Sequence, residues 1–440
     1  MDSTLLTLIL VFSLLGSVLI GIPVVISLGL SSFIGLAYIM GNYDIAGSLL
    51  SSSAYGAIKS YVFATIPLFV LLGEILSKSG AASDLFRIVD RSCRRLPGRL
   101  ALATVGGNTV FGAVTGVSIA SAATFSRIAY PEMVRAHYNK SIALGSIAGS
   151  AALGMLIPPS ILLIVWGVIA GESIGRLFVA GVVPGLMLAC MFFIFLLVYA
   201  YLKPEKFGDS KEGNTAHVKH PITRHEIIGA SSLIVLIFLV LGGIWTGFFT
   251  PTEAAGVGVL LAIIVGFVKR MSLKDFAAAV LNTGRVSAPL LFLLITAQMY
   301  SRLLANGGII DVIGQIFFGI SESPYLVLAI MVVIWLLLGM FLDSVSIILL
   351  TVPIFSPIAL SAGIDPLAFA IIGILAIEAG LLTPPFGMCV YTVKGAVTDS
   401  EATLAKIFTG AIPYWIMLLT LVLIVAIFPT IASWLPAMML

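Results

Sequence analysis

Leu156-Ile157-Pro158-Pro159-Ser160 and Leu382-Thr383-Pro384-Pro385-Phe386 each set two consecutive prolines in the middle of a long apolar run. A tandem proline removes two backbone donors and adds ring clashes, so a helix cannot pass through it unbroken. The freed carbonyls lie at mid-membrane depth, where irregular backbone is tolerated only beside protein or a water-filled cavity. One such motif is explained by a simple proline kink. Its recurrence 226 residues later, together with Ser118 and Ser344, Pro131 and Pro357, and Gly154 and Gly380 at the same offset, points to an internal repeat. Gly181 and Pro184 recur as Gly410 and Pro413, and Pro67-Leu68 as Pro289-Leu290, at slightly different offsets.

The composition agrees with a lipid environment. Of 440 residues 60% are hydrophobic and 10% charged, and the mean hydropathy is +1.16; a water-facing surface needs roughly 25% charged residues. A cytosolic enzyme is excluded. The net charge of +3 comes from short basic clusters between apolar runs, which is a topology signal and implies no nucleic-acid partner. Cys93, Cys190 and Cys389 lack any metal or disulfide spacing. His217, His220 and His225 fall in a polar connector and read as solvated loop. There is no GxxxxGK[ST], HExxH or GxSxG, so nucleotide hydrolysis, zinc proteolysis and ester hydrolysis are not supported. The first apolar run extends past Met40 with no basic residues before it, and is expected to be a retained helix pair rather than a cleaved signal.

Spans of about 20 apolar residues are expected near 5–40 (two helices), 61–78, 141–170, 174–202, 227–248, 254–268, 287–304, 367–394 and 407–433. Two further runs, about 100–133 and 326–358, are long and interrupted. Basic loops mark the cytoplasmic side: Arg87, Arg91, Arg94, Arg95 and Arg99 form one, Lys203, Lys206, Lys211, Lys219 and Arg224 a second, and Lys269, Arg270 and Lys274 a third. Both ends of 100–133 are then cytoplasmic and both ends of 326–358 external, so each run is expected to enter and return as a re-entrant hairpin. The expected fold is an all-α polytopic membrane protein with inverted-topology repeats over 1–202 and 227–440, each holding a hairpin and a broken span (about 141–170 and about 367–394). They are joined by a cytoplasmic connector, 203–226, with both termini periplasmic. Inverted repeats with discontinuous helices are the architecture of secondary transporters.

Candidate ligands follow from that arrangement. The first hairpin offers Asn108, Thr109, Thr115, Gly116, Ser118 and Ser121, the second Asp343, Ser344 and Ser346, and the breaks offer backbone oxygens at Ile157, Pro158, Pro159 and Ser160 and at Thr383 and Pro384. Oxygen donors of this kind suit a hard cation such as sodium. Small residues also serve close helix packing, as in Gly145-xxx-Gly149. An ionisable residue inside a span costs about 2.5 to 3.5 kcal/mol on insertion scales and usually faces a cavity; Asp343 is the stronger candidate and Glu378 the weaker. Glu74 and Arg302 lie nearer span ends and are given no role.

With Pro67-Leu68-Phe69, Gly112 to Ser118, Tyr130-Pro131-Glu132-Met133, Leu156 to Ser160, Ala180 to Gly185 and Thr383-Pro384-Pro385 in view, the sequence resembles the large membrane (DctM-like) subunit of tripartite ATP-independent periplasmic (TRAP) transporters over essentially its whole length. The resemblance implies a sodium-coupled importer, not an enzyme, in the bacterial inner membrane. It also implies an elevator motion of a transport domain against a scaffold and no cofactor beyond coupling sodium ions. A separate small four-helix membrane subunit and a periplasmic substrate-binding protein are the expected partners, and the substrate a small organic anion of the carboxylate class. Carried onto this chain, sodium would be held by Gly116, Ser118, Ser121, Ile157, Pro158 and Pro159, and by Asp343, Ser344, Thr383 and Pro384. Asn108, Thr109, Ser160 and Ser346 are the expected substrate contacts. No basic residue marks a substrate carboxylate site. The alternative is a stand-alone sodium- or proton-coupled anion transporter without a soluble partner.

Overall fold

The computed structural model describes residues 3–208 and 223–439. Most of the connector, with His217 and His220, lies outside them, as does the His225 side chain. Among the described residues seven helices are long and apolar enough to cross a membrane: Tyr61–Lys78, Ile174–Leu202, Glu226–Trp245, Pro251–Val268, Leu273–Gly307, Ser344–Ser361 and Leu404–Ile427. Two further helix pairs pass the same test together but are bent, Lys140–Leu156 with Ile161–Ala170 at 42°, and Ile309–Ile320 with Pro324–Gly339 at 115°. The chain is an all-α polytopic membrane protein.

The first hairpin consists of Arg99–Thr115 and Ser118–Arg135, turning at Gly116 and Val117. Gly116 adopts φ +62°, a left-handed conformation that only glycine takes without cost. The second hairpin is Pro324–Gly339 and Ser344–Ser361. The first broken span is Lys140–Ala151, Leu153–Leu156 and Ile161–Ala170, the second Pro366–Gly380 and Met388–Ala396. Pro158–Pro159 and Pro384–Pro385 are both cis.

Packing around these four elements is reciprocal. The first arm of each hairpin lies on the first part of its own repeat's broken span. The second part of each broken span crosses over, so that Ile161–Ala170 packs on Ser344–Ser361 and Met388–Ala396 on Ser118–Arg135. Every residue from Leu367 to Gly380 is buried, as suits a helix apolar on nearly all sides. An aromatic cluster ties the halves together, with Trp166 of the first broken span 5.8 Å from Trp335 of the second hairpin and 5.6 Å from Phe369 of the second broken span. Gly145 and Gly149 accept the backbone of Gly410 and the ring of Tyr414, so the Gly-xxx-Gly stripe is a packing face for Leu404–Ile427.

A second group of helices, Val24–Met40, Tyr43–Lys59, Thr65–Lys78, Pro251–Val268 and Leu273–Gly307, packs mainly within itself. It exposes large apolar side chains such as Leu281 and Phe292, as lipid-facing surfaces do. Three helices here differ from the sequence expectation. Leu273–Gly307 is 35 residues long, because Ala277, Ala278, Ala279 and Leu281 extend the helix well before the apolar run at 287. Tyr43–Lys59 is an additional helix, capped by Asn42. Ala81–Ser92 occupies part of the expected basic loop; it buries Ala81, Ala82, Leu85 and Phe86 on one side and turns Arg87 outward.

The basic segments gather on one face. Lys269 pairs with Asp84, Arg87 and Arg91 with Glu226 at 3.4 and 3.2 Å, and Asn139 N–H bonds the Lys206 carbonyl at 2.8 Å. Lys140 reaches Asp399 at 2.7 Å, and that lysine holds the Asp399 carboxyl well below the usual range, with the Tyr130 hydroxyl as second donor.

Candidate functional site

The first tip is built by glycine contacts and capping. Gly112 packs on Gly154, where an added Cβ would come within 2.6 Å of the Gly154 Cα, and this lets the hairpin descend onto the break. At the tip the Ile161 N–H bonds the Gly116 carbonyl at 3.4 Å. Ile157 is extended, and Ser160 caps Ile161–Ala170 by accepting from the Leu163 N–H while its hydroxyl donates to the Met155 carbonyl at 2.5 Å. Ile157, Pro158, Pro159 and Ser160 are all buried. The structure therefore brings Gly116 and the first break together.

The second tip repeats the device. Gly339 packs on Gly380, an added Cβ reaching 2.7 Å from the Gly380 Cα. Asp343 caps Ser344–Ser361: its Oδ1 accepts from the Ser346 N–H at 3.0 Å and its Oδ2 from the Ser346 hydroxyl at 2.5 Å. Thr383 donates to the Ala379 carbonyl and accepts from Trp415 Nε1 at 3.0 Å. Here the break is open, since Pro384, Pro385 and Phe386 are exposed, and Phe386 lies 5.7 Å from Phe341 beside the tip.

The two tips meet at Glu378. The Ser344 hydroxyl donates to Glu378 Oε1 at 2.9 Å, and Ser118 of the first hairpin lies beside the same carboxyl without reaching hydrogen-bond geometry. Glu378 is only 2% exposed. Its position is not evident from the local sequence, because the crossing of the two repeats, which delivers Ser118 to it, leaves no mark there. Asp343 caps the helix Ser344–Ser361.

Asn108 and Thr109 sit below the tip. The Asn108 amide donates to the Ser150 hydroxyl at 2.6 Å and accepts from the Ser121 hydroxyl at 2.7 Å, while Ser150 donates to the Ser146 carbonyl. This chain joins both arms of the first hairpin to the first broken span. Thr109 donates to the Val105 carbonyl of its own helix, and Ser346 is committed to Asp343.

A cavity of about 1000 Å³ lies elsewhere, between Gly167–Gly175, the end of Tyr43–Lys59 and the helix Leu273–Gly307. Gln298, Ser301 and Arg302 line it, with Glu172 and Glu253; Glu253 is held by the Thr250 N–H at 2.8 Å. Arg302 thus gains a setting that its position near a span end did not suggest.

Paired hairpin tips seated on paired broken helices define a membrane transporter of the inverted-repeat class. Residues 11–431 match the family described as tripartite ATP-independent periplasmic transporter, DctM component, and the chain belongs to that family. It is 32% identical over 432 residues to the ectoine TRAP transporter large permease protein TeaC of Halomonas elongata, covering 98% of each. It is 30% identical over 414 residues to the isethionate TRAP transporter permease protein DctMQ of Oleidesulfovibrio alaskensis, covering 94% of this chain and 63% of that longer relative. The Alcanivorax borkumensis YdaH transporter has a similar fold, with a TM-score of 0.61, 13% identity and coverage of 89% and 90% of the two chains. The first two are named as transporter permeases and the third as a transporter, not as enzymes.

Proposed function

We propose that this chain is the translocating subunit of a sodium-coupled TRAP importer for a small organic anion of the carboxylate class, in a bacterial inner membrane with both termini periplasmic. It works with a small four-helix membrane subunit and a periplasmic binding protein that delivers the substrate. The observation that carries this reading is the seating of both hairpin tips on the broken spans. The helices beginning at Ser118, Ile161 and Ser344 start there, and helix N-termini favour anionic groups. Sodium is assigned to Gly116, Ser118, Ser121, Ile157, Pro158 and Pro159 at one site and to Asp343, Ser344, Thr383 and Pro384 at the other. Carbonyls freed by the proline breaks supply the hard oxygen ligands.

The hairpins and broken spans form the transport domain, and the helices around Leu273–Gly307 belong to the scaffold, the two related by an elevator motion. Coupling requires sodium to favour the translocation-competent state, because a ligand of equal affinity for both states shifts nothing. Arg302 meets the anion in the large cavity. The relatives named for ectoine and isethionate support variation in the carried compound on a common scaffold.

Uptake of labelled small carboxylates into proteoliposomes, with and without a sodium gradient and each partner, tests the reading. Uptake that needs sodium and all three components is expected. Sodium-driven uptake by this chain alone would favour the stand-alone alternative, and uptake indifferent to sodium would overturn the coupling assignment.

A further inference from the structure

We propose that the arginine-lined cavity between the helix Ala81–Ser92 and the first hairpin is a binding site for the head group of an acidic phospholipid. The cavity measures about 870 Å³ and lies on the face where the basic segments gather. Phe86, Arg87 and Arg91 line one side together with Glu226, and Arg99, Arg127 and Arg135 of the two hairpin arms line the other. Five arginines meet three carboxylates, those of Asp90, Glu132 and Glu226, so the lining carries two positive charges in excess. That excess matches the two phosphodiesters of a lipid such as cardiolipin, and basic pockets between membrane helices take heads of this kind.

The arginines have donors to spare. Arg87 and Arg91 each reach Glu226 through Nη1 alone, at 3.4 and 3.2 Å. Arg99 Nε stands 3.6 Å from Asp90 Oδ1, beyond hydrogen-bond distance. Arg127 is exposed and has no carboxylate partner among the described residues. A guanidinium presents its N–H groups as a planar fork that fits phosphate oxygens. The depth of the cavity suits a lipid better than a free ion. Glu226 begins the span Glu226–Trp245, so the cavity stands where that span enters the bilayer. Phe86, Leu100 and Ile128 add apolar surface to the lining. Next to Glu226, Ile227 and Ile228 are 51% and 39% exposed, a surface along which acyl chains can lie.

The test is native mass spectrometry of the delipidated full chain in detergent, titrated with cardiolipin, phosphatidylcholine or glycerol phosphate. One cardiolipin should bind per chain about tenfold more tightly than phosphatidylcholine, with glycerol phosphate far weaker. Arg127→Gln, which breaks no ion pair, should weaken cardiolipin binding about fivefold, the effect of one basic residue near an anionic group. Adding Arg87→Gln should weaken it further, and a melting curve shows whether that double variant is folded; if it is not, Arg127→Gln alone decides. Arg285→Gln, at an exposed position outside the cavity, should leave binding unchanged. Equal affinity for the two lipids, equal losses in Arg285→Gln and Arg127→Gln, or glycerol phosphate binding as tight as that of cardiolipin overturns the proposal. The experiment needs neither substrate nor sodium, so its outcome is separate from that of the uptake assay.

Discussion

Gly112 of the first hairpin and Gly154 of the first broken span touch so closely that each occupies the space of the other's missing side chain, and Gly339 and Gly380 do the same in the second repeat. Both partners are backbone, so neither can yield as a flexible side chain does. Gly112→Ala and Gly339→Ala should each lower the thermal stability of the purified chain, by about 1 to 3 kcal/mol as overpacking does. Gly47→Ala, which adds a Cβ into open space, is the control and should leave the melting temperature unchanged or slightly raised.

Asn108 is expected to act through the first hairpin's attachment. Its amide is buried and bonded on both sides, so Asn108→Ala strands the Ser121 hydroxyl and removes the bridge to Ser150, at a cost of about 1 to 3 kcal/mol. A lower melting temperature, measured without substrate, would show this role; unchanged stability with lost uptake would instead support direct substrate contact.

Lys269 and Asp84 join the helix Ala81–Ser92 to the loop after Pro251–Val268, with side chains 8% and 12% exposed. Removing one partner leaves the other charge largely buried, which costs about 3 to 5 kcal/mol for a buried pair. Asp84→Ala should therefore destabilise the chain more than the double variant Asp84→Ala with Lys269→Met, and chemical denaturation of the two in the same detergent decides it.

Asp399 gives a pH prediction. Lys140 and Tyr130 keep its carboxyl below its ordinary value of 3.8 in the folded chain. A depressed folded value means that the stabilisation is complete above the unfolded value and fades as pH falls toward the folded one. The melting difference between wild type and Asp399→Asn should hold steady from pH 7 to about 5 and shrink below about pH 4, near the ordinary carboxylate value.

Arg302 borders the large cavity. Arg302→Ala should raise the KM for the carried anion about tenfold, the effect of a lost charged hydrogen bond of about 1.5 kcal/mol. Arg302→Lys should recover part of it. An unchanged KM in both variants would remove Arg302 from the substrate path.

The sequence by itself determined the all-α membrane fold, the two interrupted hairpins and the two proline breaks. Hydropathy, basic loops and tandem prolines act locally and so are legible in order along the chain. It also supplied the small residues that the tips require. Only the tertiary structure decided what those residues touch. Asn108 bridges both arms of the first hairpin to the first broken span, and Asp343 caps the second arm of the second hairpin. Glu378 is central because each repeat's broken span crosses onto the other's hairpin, bringing residues 34 and 260 positions away in sequence, Ser344 and Ser118, to one carboxyl. Such a meeting is set by helix packing over the whole chain, and no local spacing records it.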